Sequence, residues 1–230
     1  WACGQEAALR LLHLLLGCAL RGGEPPADAV RVLARRVAAN PWYAAAQDNN
    51  HPVSEAAALW AAGHPRGKAR LLRAIMRLVD GEGGFAQPSP AYARLLLDVA
   101  SVAEWLARRR GDGLPPAALA RLAAATRLLH AMACPGTGAL PRIGHQDGSA
   151  FADLSGAGPD DARPSLERAA RLFCGASAGW ADDPGCATLG LPPPAAVLKA
   201  PAEARGGAFA IRRAGPWRVV GRRGVLVPTR

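Results

Sequence analysis

The stretch HPVSEAAALWAAGHPRGKARLLRAIMRLVD (51–80) decides the fold. It holds two runs rich in Ala, Leu and Arg, residues that favour helix. Pro52 stands at a first helical position of one run and Gly63 where that run ends, the places these two residues suit best. The spacing predicts one helix from His51 to Gly63 and a second over about Gly67–Asp80. A turn that short makes the two helices antiparallel neighbours.

The same pattern repeats on both sides. Helices are expected over about Cys3–Arg21, Ala27–Ala39, Ala91–Arg110, Pro116–Cys134 and Pro164–Gly175. The second of these stops at "NPW" (40–42), because Pro41 disfavours helix in the residue before it. Long Gly- and Asp-containing loops follow the helices that end near Asp80 and Cys134, and loops of that length carry function more often than tight turns do. From Gly179 to Pro201 the chain is rich in Gly and Pro and reads as a linker. GGAFAIRRAGPWRVVGRRGVLVP (206–228) then changes to short alternating or β-branched runs between Gly and Pro, which signals strands. These last residues are too few for an independent sheet domain. The expected organisation is a helical domain over 1–178, a Gly/Pro-rich linker over 179–204 and the first strands of a further domain over 205–230.

Half of the 230 residues are apolar and only 5% aromatic, and the net charge is +10 with Lys68 and Lys199 the sole lysines. The positive balance favours a negatively charged partner. The arginines are spread along helices apart from ARRR (107–110) and GRR (221–223), and no zinc-finger, RNP or basic-zipper pattern is present. Nucleic acid is therefore not the expected partner. Five cysteines (Cys3, Cys18, Cys134, Cys174 and Cys186) form no CxxC pair and read as buried thiols more than as a disulfide framework, with one bridge left open. The run AALRLLHLLLGCAL (7–20) is too short, and with Arg10 and His13 too polar, to span a bilayer. No signal-peptide layout is visible. The chain opens on Trp1 inside a helical pattern, as a fragment would.

The polar residues QDNNHP (47–52) crowd the mouth of the helix that starts near His51. One reading makes them an N-cap cluster, with Asn side chains accepting from free helix N–H groups. The other makes them an anion site: the helix N-terminus attracts negative charge, Asn50 adds a neutral donor and His51 a titratable base. Tyr92 similarly reads either as a half-buried aromatic at a helix start or as a general acid. Tyr43 packs beside Trp42, while either aromatic near a groove can stack on a sugar ring. GHQDG (144–148) is a polar turn. Glu6 and Arg10, at i and i+4, read as a surface ion pair. His51 and Glu55 do not make an HExxH motif, and His13, His64 and His130 lack partners at ligand spacing, so neither a metal nor a cofactor is expected. GxSxG, P-loop and GxGxxG patterns do not occur.

Four motifs in order, WACGQEAALR (1–10), NNHPVSEAAAL (49–59), DGEGGFAQPSPAYARLLLD (80–98) and LPRIGHQDG (140–148), resemble the heparinase II/III-like polysaccharide lyases, a group related to alginate lyases of the same architecture. AFAIRRAGPWRVV (208–220) resembles the first strands of the domain that follows in that family. The resemblance implies an incomplete (α/α) toroid of helical hairpins followed by an antiparallel β-sandwich. It also implies cleavage of acidic, uronate-containing polysaccharide by β-elimination, in a periplasmic or extracellular setting. Carried over by motif, Asn50 neutralises the uronate carboxylate, His51 assists or acts as base, and Tyr92 acts as general acid and in some geometries also as base. Asn49, Gln5, Glu6, Arg10, Gln87 and Trp42 would line the substrate groove. No membrane insertion is implied, and the oligomeric state is not indicated.

The chain departs from the family pattern at three points. Ala93 stands where a histidine usually follows the tyrosine. His145 replaces the usual aspartate after the glycine of the fourth motif. The sandwich normally brings one more histidine, and the sequence ends at Arg230 before that position. Two alternatives follow: a homologue that grips an acidic glycan without cleaving it, and a glycoside hydrolase on a similar α/α barrel. The hydrolase would need a pair of carboxylates, and Glu55, Asp80, Glu82 and Asp147 form no obvious pair in the sequence.

Overall fold

A computed structural model describes residues 3–214, 217–222 and 225–229. Trp1 and Ala2 of the first motif, Gly215, Pro216, Arg223 of the GRR cluster, Gly224 and Arg230 lie outside the described residues. The chain is mainly helical and ends in a small antiparallel sheet. The helices are α1 (Gly4–Leu20), α2 (Ala27–Ala39), α3 (Pro41–Ala45), α4 (His51–Ala61), α5 (Gly67–Leu78), α6 (Pro90–Arg108), α7 (Pro116–Met132), α8 (Arg163–Ala169) and α9 (Pro184–Thr188).

The hairpin of α4 and α5 forms as its sequence predicts. A Cβ on Gly67 would lie 2.3 Å from the Trp60 backbone nitrogen, so the two helices close tightly only with glycine there. Around it, α1 packs on α2 and α4, α4 packs on α6, and α6 packs on α7 and α8. α4 and α6 run parallel. At one end the Asn50 amide donates to Gln87 just ahead of α6. At the other, Trp60 Nε1 donates to Asp112 at 2.8 Å and Arg110 donates to the Trp60 and Ala61 carbonyls.

Trp60, Leu11, Leu12, Leu59, Leu71, Ile75, Leu96, Leu97, Leu122 and Leu129 are fully buried and make the interior. α6 runs through this interior, and its buried charges are all paired. Asp98 meets Arg168 at 2.6 Å and Arg94 at 3.8 Å, and also accepts from the Phe151 amide. Glu104 accepts from Arg108 and from the Leu114 amide. Such pairing is what makes charge tolerable in a low-dielectric interior.

Several elements differ from the sequence reading. α5 stops at Leu78, because Val79 is extended (φ −114°, ψ 119°) and bridges to Phe85. α3 was not expected: Pro41 ends α2 and also begins a new helical turn, since its missing N–H costs nothing at that position. The helix expected over Pro164–Gly175 is α-helical only to Ala169 and then π-helical over Ala170–Cys174, ending at Gly175 with φ +60°. All five cysteines are free, yet only Cys186 is buried and the other four are half-buried.

Strands β1 (Glu203–Gly206), β2 (Phe209–Ala214), β3 (Trp217–Arg222) and β4 (Val225–Thr229) pair consecutively and antiparallel. Phe209, Ile211, Arg218 and Val220 are buried while Ala210, Arg212 and Val219 are exposed, the alternation of a sheet with one covered face. That face lies on α7, where Arg218 donates to the Met132 carbonyl and Gly206 meets Leu128. The edge of the sheet touches the loop after α5. Asp80 accepts from the Gly207 amide at 2.6 Å, and a Cβ on Gly84 would fall 1.9 Å from the Gly207 nitrogen. Residues 179–204, read as a linker, carry α9 and are tied to the helices. Trp105 Nε1 donates to the Leu189 carbonyl, Arg171 donates to the Leu191 and Ala181 carbonyls, and Ser177 bridges Val197. Among the described residues no helix is long and apolar enough to cross a membrane.

Candidate active site

α4 begins at His51, with Asn50 as the flanking residue and Pro52 in the first turn. The capping role expected of the cluster falls to Asn49. Its Oδ1 accepts from the His51 amide at 2.9 Å, and its Nδ2 donates to Gln47 Oε1 at 2.7 Å. Asn50 makes no side-chain cap bond. Its backbone is fully used, the amide donating to Gln87 Oε1 at 3.1 Å and the carbonyl accepting from Ser54. The Asn50 side chain is 2% exposed, and its Nδ2 has no partner among the described residues.

Three more buried polar atoms in the first turns of α1 and α4 share that condition: Gln5 Oε1, His51 Nδ1 and Ser54 Oγ. The two turns meet closely, since a Cβ on Gly4 would lie 2.4 Å from Glu55 Oε1. A buried polar group without a bond is costly, and native chains rarely keep several together without use for them. Burial lowers the His51 pKa, which keeps its imidazole neutral at neutral pH. Burial also pushes the Glu55 carboxyl up to about 7, against the pull of Arg70.

Tyr92 sits in the first turn of α6. Ser89 caps that helix by accepting from the Tyr92 amide at 3.3 Å, and its hydroxyl donates to the His145 carbonyl at 2.8 Å. Gly144, at φ +78°, lies so close that a Cβ would come within 2.4 Å of the Pro88 carbonyl oxygen. These contacts bring the loop of the fourth motif over the start of α6. There Tyr92 donates its hydroxyl to Asp147, Ser149 donates to the same carboxylate, and the Tyr92 and His145 rings meet edge-on with centroids 6.4 Å apart. Burial and the Asp147 contact both raise the Tyr92 pKa. Burial pushes Asp147 up too, but the bonds from Ser149 and Tyr92 outweigh it and leave this carboxyl below its usual range.

The Asn50–Gln87 bond brings Asn49, Asn50 and His51 to the segment ahead of α6, with Gln5 on the adjoining turn of α1, while Tyr92, in the first turn of α6, directs its hydroxyl to Asp147. Glu6 and Arg10 form the expected exposed ion pair at 3.7 Å. Trp42 is 82% exposed and lines a pocket between α3, α4 and α5 that Asn50, His51, Gln87 and Tyr92 do not line. Sequence reasoning took Asp147 for an ordinary turn residue and did not single out Ser54, Ser89 or Ser149. Only Ser89 carried a readable signal, as a helix N-cap ahead of Pro90. No group of three or more His, Cys, Asp or Glu side chains able to hold a metal is present among the described residues. The chain matches no protein-family model, no curated protein and no solved structure.

Proposed function

We propose that the shared end of α4 and α6 is the acidic-sugar site of a polysaccharide lyase that cleaves uronate-containing polymers by β-elimination. In this reading the hairpins α1–α2, α4–α5 and α6–α7 are turns of an incomplete (α/α) toroid, and the strands open a β-sandwich. The polymers lie in the periplasm or outside the cell. The observation that carries the reading is the pair of buried nitrogens, Asn50 Nδ2 and His51 Nδ1, left without partners at a helix N-terminus. A carboxylate placed there gains a neutral donor and the positive end of the α4 dipole.

Elimination needs three things: relief of the uronate negative charge, a base for the C5 proton and an acid for the departing O4. Asn50 supplies the first by donating to the carboxylate. Neutral His51 takes the C5 proton, and the electron pair left on C5 spreads into the carboxylate. The C4–O4 bond then breaks as Tyr92 gives its phenolic proton to O4, leaving a C4=C5 double bond in the product. Burial lowers the His51 pKa and raises that of Tyr92, which supports His51 as the base and Tyr92 as the acid. In the free chain the phenol donates to Asp147, so substrate must replace that acceptor with O4.

The test is incubation with alginate, heparan sulfate and other uronate polymers, following the ultraviolet absorbance of the unsaturated product. Absorbance that rises with one polymer and is lost in Tyr92→Phe and Asn50→Ala supports the reading. New reducing ends without absorbance would mean hydrolysis. Glycan binding without any product would leave a non-catalytic binding protein.

A further inference from the structure

A separate pocket lies beside Trp42. It has a volume of about 400 Å³, within the range of roughly 300–1,000 Å³ typical of small-molecule sites. Its floor is apolar, made by Ala44, Ala56, Leu59, Ala74 and Leu78 from three helices. Its rim is cationic. Arg70, Arg73 and Arg77 follow one another at i, i+3 and i+7 along α5, so all three project from one stripe of the helix.

Arg77 is engaged, donating to Asp48 and to the Ala45 carbonyl. Arg70 and Arg73 make no side-chain hydrogen bond and no ion pair with any described residue, and Arg70 acts on Glu55 through its field alone. The acidic group on the pocket wall is Glu55, and burial pushes its carboxyl up to about 7, so the balance of charge in the pocket is positive. The indole of Trp42 stands open at the rim.

We propose that this pocket binds a small amphipathic organic anion, its apolar body lying against Pro41, Ala45 and Pro52 and its acidic head held by Arg70 and Arg73 under Trp42. An apolar floor argues against a sugar ring, whose hydroxyls would find few partners, and the two unpaired guanidiniums argue against a neutral or cationic guest. Arg suits such a role because its forked donors match a carboxylate bidentately. The site is independent of the lyase reading and needs no turnover to be tested.

Calorimetry with decanoate, decanol and decyltrimethylammonium decides it. Decanoate should bind one to one, and decanol and the cation at least about tenfold more weakly, the loss expected when a charge-assisted contact is removed. Arg70→Gln/Arg73→Gln should weaken decanoate by about tenfold or more, and Trp42→Ala by several-fold. Both variants alter side chains without hydrogen-bond partners, and a melting curve by circular dichroism verifies that they fold. Decanol binding as tightly as decanoate, unchanged decanoate affinity in the double variant, or no saturable decanoate binding would each overturn the proposal.

Discussion

The Tyr92 hydroxyl donates to the Asp147 carboxylate across 55 residues of chain. The contact exists because Ser89 and Gly144 seat the second partner's loop on the helix start that carries the first. It gives the phenol an ionised acceptor that opposes loss of its proton.

Asp147→Asn should therefore lower the Tyr92 pKa toward the ordinary phenol value of about 10. The chain has two tyrosines, so in a Tyr43→Phe background tyrosinate absorbance against pH reads Tyr92 alone. An unchanged midpoint would separate Asp147 from the ionisation of Tyr92, independently of any activity.

Neighbouring asparagines should behave oppositely under substitution. Asn49→Ala removes the bond that caps α4 and should cost about 1 kcal/mol in urea unfolding. Asn50→Ala removes a donor that has no partner to lose and should cost clearly less, while the uronate recognition proposed above should be lost. Equal destabilisation by the two would mean that Asn50 is structural.

Glu55 should give stability a pH dependence of readable sign. Its folded pKa is raised from 4.5 to about 7. Between those values the folded chain holds a proton that the unfolded chain releases. The stabilisation is complete below about pH 4.5 and is lost as pH rises through about 7. Glu55→Gln should flatten that slope and gain on the order of 1–3 kcal/mol relative to wild type at pH 8 compared with pH 4.5. Parallel stability curves for the two proteins would contradict it.

Asp98→Ala should be among the most damaging single changes. It strands Arg168, which is 4% exposed, and withdraws the acceptor of the Phe151 amide. The expected loss is about 3–5 kcal/mol, measured as a fall in the denaturation midpoint. A loss under about 1 kcal/mol would show that the interior admits water around that arginine.

What the sequence made legible were features with local causes. α2 lies where its periodicity and Pro41 place it, and the α4–α5 hairpin follows from Pro52, Gly63 and the apolar spacing. What stayed hidden has causes distant in the chain. Val79 has ordinary helical neighbours, but its pairing with Phe85 ends α5 early. Asp147 looks like any Asp-Gly turn until the loop is laid on α6. At the mouth of α4 the sequence marked a polar cluster able to cap the helix, yet could not say which asparagine does so and which side-chain amide is left without a partner. That division depends on Gln87, which holds the Asn50 backbone from 37 residues away.

The meeting of Gly84 and Gly207 has a consequence for how this chain can change over time. A side chain added at Gly84 would strike the Gly206–Gly207 backbone, and one at Gly207 would crowd the Gly84 backbone. Each obstacle is main chain, so no second substitution can make room for the first. Pairs of packed side chains can drift together by trading volume, whereas Gly84 has no such freedom and Gly207, at φ +54°, has little. In a diverging lineage they would be retained as a unit while the residues around them varied, marking where sheet and helices touch without either position carrying any chemistry.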